Sequence, residues 1–265
     1  MSSTTPTPPP PFPEDPASDG SLTERRKART RLHIARTAAA LFVRNGLRAT
    51  RAEDIAHAAG VAPRTFYRYF PTKEEAIGPL YALGARRWVD AVRTAPAGTP
   101  LPRVLEEAAR YALTPGRGVS EESWNWVRTL IRLAADNPAL GRVWAEACRA
   151  ADRHLAEALA HRLTGGAPPP PDADVAARSR LCFAASVAGA AVRTAMESWA
   201  AGDGPAEGPD GPAELAAANL SALRDFPWDA VVGDRRSTGR AIPPPPSAAP
   251  PTPVPPPPVP EDPAP

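Results

Sequence analysis

One signal recurs three times in the first third of the chain: a hydroxyl residue followed three positions later by glutamate, at Ser21/Glu24, Thr50/Glu53 and Thr72/Glu75. At that spacing the hydroxyl accepts a backbone N–H and the carboxylate reaches back, so two amides orphaned by a helix start are satisfied. Three starts this close together imply a run of helices joined by tight turns. The stops agree. Asn45-Gly46 ends a first helix, about Leu22 to Arg44, whose apolar face is Ile34, Ala38, Leu41 and Phe42. Gly60 ends a second, Arg51 to Ala59, because glycine enters the left-handed region without steric cost. Pro63 opens a third, to Tyr69, where its missing N–H costs nothing. Pro71 closes it, and Thr72/Glu75 begins a long helix toward Val92.

Helices are expected beyond this near 101–113, 121–135, 138–163, 173–200 and 213–226, between proline or glycine breaks. No stretch alternates apolar and polar residues with β-branched enrichment, so the expected class is all-α. Of 37 prolines, 21 fall in residues 1–20 and 241–265. The ends therefore read as low-complexity, disordered tails, 1–20 and 229–265, around a three-helix domain at 21–75 and a larger helical domain at 76–228. The four-proline run Pro168–Pro171 reads as a stiff loop.

Charge narrows the function. The chain carries +2 overall, but residues 21–75 hold twelve basic and five acidic side chains, a balance of +7. A basic block this compact predicts a polyanionic partner. The longest apolar run, Leu181 to Val192, is 12 residues, short of the ~18 needed to cross a bilayer, and the first residues lack a secretory pattern; a cytoplasmic protein without a membrane partner is expected. Cys148 and Cys182 lack zinc spacing and read as buried small hydrophobes, and His154 and His161 are too few for a metal, so neither metal nor cofactor is expected. The sequence contains no G-x-S-x-G, no phosphate loop, no H-E-x-x-H and no dinucleotide fingerprint, so no catalytic residue is assigned and an enzyme is not expected.

The basic block has the geometry of a helix-turn-helix: small Ala56 where two helices touch, Gly60 four residues later at the turn, Phe66 ten residues later as a core plug. On a wheel at 100° per residue, Phe66 and Phe70 face inward. Arg64 and Arg68 fall near the opposite pole, flanked by Thr65 and Tyr67. Arginine can fork onto guanine O6 and N7 in the major groove, while Thr65 and Tyr67 reach a thymine methyl or a phosphate. The cluster Arg25, Arg26, Lys27, Arg29 and Arg31 reads either as a DNA-contacting arm or as a solvated helix start.

Ala40-Leu41-Phe42, Gly46, Thr50, Ile55-Ala56, Ala59-Gly60-Val61, Thr65-Phe66-Tyr67-Arg68-Tyr69-Phe70 and Lys73-Glu74-Glu75 together resemble the N-terminal domain of TetR-family transcriptional regulators, over about residues 28–77. The resemblance implies an N-terminal helix-turn-helix domain followed by a helical ligand-binding and dimerisation domain. It also implies a homodimeric repressor of a double-stranded DNA operator, released by an unidentified small-molecule effector. Position by position, it puts Thr50 and Arg51 at a phosphate, Ala62, Pro63, Arg64 and Thr65 with Tyr67, Arg68 and Tyr69 at the groove, and Lys73 at the DNA backbone. Family members commonly carry serine or threonine where Ala62 stands, so the third helix here lacks a side-chain N-cap.

The C-terminal helices carry two more signals. Residues 173–200 are rich in alanine, with Gly189, which permits close helix approach, and with residues 213–226 could form a four-helix bundle across a two-fold axis. Trp88, Tyr111, Trp124, Trp126, Trp144 and Phe183 sit on helices able to enclose an effector pocket. Two alternatives stay open: a dimeric DNA-binding protein without an effector, and a thiol-based redox sensor using Cys148 and Cys182.

Overall fold

The first helix, α1 (Leu22–Asn45), starts on Ser21, whose hydroxyl accepts the Glu24 N–H at 3.3 Å, while the Glu24 carboxylate takes the Lys27 ammonium at 2.8 Å. The computed structural model describes residues 21–116, 121–165 and 175–232, and α-helices follow one another throughout with no strand among the described residues. They are α2 (Ala52–Ala58), α3 (Pro63–Tyr69), α4 (Gly78–Thr94), α5 (Leu101–Leu113), α6 (Glu121–Asp136), α7 (Pro138–Leu163), α8 (Val175–Ala201), α9 (Pro212–Ala222) and α10 (Trp228–Val232). The fold is all-α, with a helix-turn-helix at the N-terminus and a helical remainder. The expected tail 1–20, all of 229–265 past Val232, and the loop at 168–171 lie outside the described residues.

Three local expectations are corrected. Thr50 does not cap α2: its hydroxyl donates to Gly46 O at 2.9 Å and Leu41 O at 3.4 Å, sealing the end of α1, and only 1% of the residue is exposed. The cap position is Arg51, whose backbone N–H is taken by Asp54 Oδ2 at 2.9 Å. Buried carbonyls need a donor more than solvent-facing amides need an acceptor, and the hydroxyl goes to the carbonyls. Thr72 and Glu75 do pair, at 3.3 Å, but they open only a 3₁₀ turn, Glu75–Ile77. A helix continuous from there would place Pro79 in its interior, without an N–H to donate; starting α4 at Gly78 puts that proline in the first turn. The helix expected over 213–226 ends early, α9 stopping at Ala222, and a further short helix, α10, follows Pro227.

Two apolar clusters organise the chain. One joins α1, α2 and α3 through Ile34, Ala38, Phe42, Ile55, Phe66 and Phe70, and it continues into α4, α6 and α7 through Leu80, Leu83, Leu130, Ala134 and Leu140. The other fills the space among α4 to α10 with Trp88, Val92, Leu105, Leu155, Leu159 and Trp199. The helix α4 belongs to both: Leu80 and Leu83 pack on the first, Trp88 and Val92 on the second. Its C-terminal carbonyls are held from α7 by Arg162, whose guanidinium donates to Ala95 O at 2.5 Å and Pro96 O at 3.1 Å. One helix, α4, thus bridges the two clusters.

By length and composition, α8 is the one helix among the described residues long and apolar enough to cross a bilayer, although 22% of that apolar window is buried inside the chain. Its inner face, Ala184, Ala185, Ala188 and Gly189, is buried in the bundle. Part of the small-residue set expected at a two-fold contact is therefore occupied within one subunit.

Candidate functional site

Two glycine-free short helices and one glycine turn build the N-terminal site. Gly60 has φ +66°, in the region that strains any side chain, and the turn closes when the Val61 N–H donates to Ala56 O at 2.9 Å. Ala62 caps α3 with no side-chain bond, leaving the first turn to Pro63. Phe66 and Phe70 are buried, ring centroids 5.8 Å apart, and fix the rotation of α3. Ala62, Pro63, Arg64, Tyr67 and Arg68 are then exposed, with Thr65 and Tyr69 half-buried beside them. The Arg68 guanidinium lies 5.5 Å from the Tyr69 ring centroid. The Tyr67 hydroxyl donates to Glu53 Oε1 at 3.1 Å, a bond from α3 to α2 that also raises the phenol above its ordinary pKa. Glu53 was expected as the capping partner of Thr50 and instead accepts from Tyr67, while Asp54, which did not stand out in the sequence, takes the capping role.

The groups expected at phosphates divide. Arg51 is exposed at the start of α2. Thr50 is buried, with its hydroxyl held by the chain itself. Lys73 is half-buried, and its ammonium donates to Leu47 O at 2.6 Å and Thr50 O at 2.7 Å. Two of its three N–H groups are thus engaged in fixing the turn between α1 and α2.

A second site lies among α4, α5, α6, α7 and α8, a cavity of about 150 Å³. Trp88, Trp124 and Trp144 line it, as the sequence suggested. The other three aromatics lie elsewhere. Tyr111 and Phe183 are more than half exposed, the latter against Phe226 at 5.9 Å, and Trp126 packs on the N-terminal cluster. Aromatic residues in a sequence do not reveal which side of a helix meets a void. The wall also includes Tyr81, Cys148, Asp152 and Arg193, which sequence reasoning missed as lining residues.

The Tyr81 hydroxyl donates to Leu130 O at 2.8 Å, its ring meets Trp144 at 4.9 Å, and burial drives its pKa upward. The Trp144 indole donates to Glu197 Oε1 at 2.7 Å. Burial pushes the Cys148 thiol up to about 11 and raises the Asp152 carboxyl, opposed by the nearby Arg193 guanidinium. A side chain on Gly189 would put Cβ 2.0 Å from Asp152 Oδ1, so that glycine admits the carboxylate to the α7–α8 contact.

A family model described as "Bacterial regulatory proteins, tetR family" matches residues 34–76, the segment that carries α2, the turn and α3. Over that segment the chain is similar to the TetR family. A curated relative, the HTH-type transcriptional regulator TcmR of Streptomyces glaucescens, is 38% identical over 93 residues, 35% of this chain. The matched stretch spans 41% of that relative's own length. Among solved structures, the TetR-family transcriptional repressor FadR of Thermus thermophilus, in complex with lauroyl-CoA, is 24% identical with a TM-score of 0.48, covering 73% of this chain and 92% of that one. A TetR-family regulator structure from Mesorhizobium loti is also 24% identical with a TM-score of 0.45, covering 75% and 96%. The TetR-family match falls on residues 34–76 and stops short of every cavity-lining residue.

Proposed function

We propose that the chain is a sequence-specific transcriptional regulator acting as a homodimeric repressor, released from its operator by a small molecule bound in the cavity. The observation that carries this reading is α3: Arg64, Tyr67 and Arg68 stand exposed on a helix whose opposite face is locked by buried Phe66 and Phe70. That is a rigid platform for base-edge contacts, placed in a basic segment that matches the family's DNA-binding domain. Arg51 and the arm from Arg25 to Arg31 contribute phosphate contacts that fix register without reading sequence. Two copies set the reading helices about one helical turn of DNA apart, on half-sites of a palindrome.

Dimerisation uses the outer side of α8 and α9, where Phe183 and Val175 are exposed. An effector acts through α4, whose two ends pack on different clusters. A molecule that binds better when α4 is displaced lowers DNA affinity in proportion to its preference for that state.

The test is to incubate the purified protein with fragmented genomic DNA and sequence what it retains. A recovered palindrome supports the reading; retention of all fragments alike overturns it. In the same assay Arg64→Ala and Arg68→Ala each relax one operator position at a cost of about 1–3 kcal/mol. Unchanged preference in both variants removes α3 from the reading role.

A further inference from the structure

Five tryptophans have an assigned environment for the indole N–H among the described residues, and they fall into two groups. Trp144 donates to Glu197 Oε1 at 2.7 Å, Trp199 to Pro205 O at 2.9 Å and Trp228 to Leu223 O at 3.0 Å. Trp88 and Trp124 are each 4% exposed, and their Nε1 atoms are buried without an acceptor. Buried indole N–H groups in folded proteins are normally hydrogen-bonded, so two exceptions call for a cause. Both exceptions line the same cavity, one from α4 and one from α6.

The rest of that wall is largely aliphatic, including Leu113, Ile131, Val192 and Met196. At about 150 Å³ the space matches cavities that take a molecule the size of benzene. We infer that the cavity takes a compact, mostly apolar molecule bearing at least one hydrogen-bond acceptor oxygen, of carbonyl or ether type, held by the indole N–H groups of Trp88 and Trp124. The aliphatic wall supplies affinity through burial, and the two donors supply selection, because a ligand without an acceptor leaves both N–H groups unpaired. This rests on the cavity being the effector site.

Acetophenone and cumene make a matched pair of probes, equal in heavy-atom count and similar in shape, with a carbonyl oxygen in one where the other has a methyl group. Binding of each to the full chain is measured by equilibrium headspace partition, and the same samples are assayed for release of operator DNA. Acetophenone is expected to bind about fivefold more tightly than cumene, the net effect of one hydrogen bond. In the Trp88→Phe, Trp124→Phe double variant the ratio falls to about one while cumene binding persists. If that variant loses its helical circular dichroism, the two single variants are measured, and at least one halves the preference.

Equal binding of the probes to the natural chain, or a preference for cumene, overturns the ligand class while leaving the effector cavity standing. A ratio unchanged in every variant assigns the acceptor to another group and overturns the inference. Failure of both probes to bind overturns the ligand class together with the effector reading.

Discussion

Lys73 offers a sharp test of how this site is built, because its position in the sequence and its position in the fold suggest different roles. Sequence resemblance puts it at the DNA backbone, where Lys73→Ala weakens binding to all sequences and lowers the slope of log affinity against log salt by about one. In the structure its ammonium holds Leu47 O at 2.6 Å and Thr50 O at 2.7 Å, pinning the turn that leads into α2. Lys73→Met keeps most of the apolar stem and removes both bonds. Hydrogen bonds to a charged group contribute about 1.5–3 kcal/mol each when buried. Here the residue is half-buried and water recovers part of each carbonyl's loss, so the expected cost is about 2–3 kcal/mol in total. For a unit of about 200 residues that lowers the melting temperature by roughly 4–12 °C. Thermal unfolding followed by circular dichroism gives the first quantity, and operator titrations at several salt concentrations give the second. A lowered melting temperature with a nearly unchanged salt slope is the expected pair. An unchanged melting temperature with the slope reduced by one would refute the turn-pinning role and restore a phosphate contact.

Gly60→Ala places a side chain at φ +66° with nothing within 4 Å of its Cβ, so the cost is backbone strain alone, about 1–2 kcal/mol, read as a lower melting temperature. Gly189→Ala forces Asp152 to move, since the new Cβ would sit 2.0 Å from Oδ1; the loss in stability should largely disappear in the Gly189→Ala, Asp152→Ala double variant, and a strictly additive cycle contradicts the close contact. Burial raises the Asp152 carboxyl, so the native state binds its proton more tightly than the unfolded state does. Its contribution to stability therefore falls as pH climbs from the ordinary carboxylate range through the raised value, and Asp152→Asn should flatten that part of the stability profile. With a thiol pKa of about 11 instead of 9.0, Cys148 holds about a hundredfold less thiolate near pH 8. In a Cys182→Ser variant, iodoacetamide labelling should be correspondingly slow and accelerate only toward that pKa; rapid labelling at neutral pH would return the thiol-sensor reading to consideration.

What the sequence determined is what short-range physics controls. The bounds of α3 at Pro63–Tyr69, α5 at Leu101–Leu113 and α7 at Pro138–Leu163 follow from prolines, glycines and apolar spacing within one or two turns. The inward and outward faces of α3 follow from helical periodicity, so its exposed arginines were legible before any packing was known. Matters joining distant residues were decided only by the tertiary structure. Lys73 bonds to Thr50 across 23 positions, Tyr81 to Leu130 across 49 and Trp144 to Glu197 across 53. Thr50 turned inward because the end of α1 needed a donor there, and three of six aromatics missed the cavity because helix rotation, not residue type, chooses which side chains meet a void. Such choices depend on how whole faces pack against one another, and a linear pattern contains the faces without their partners.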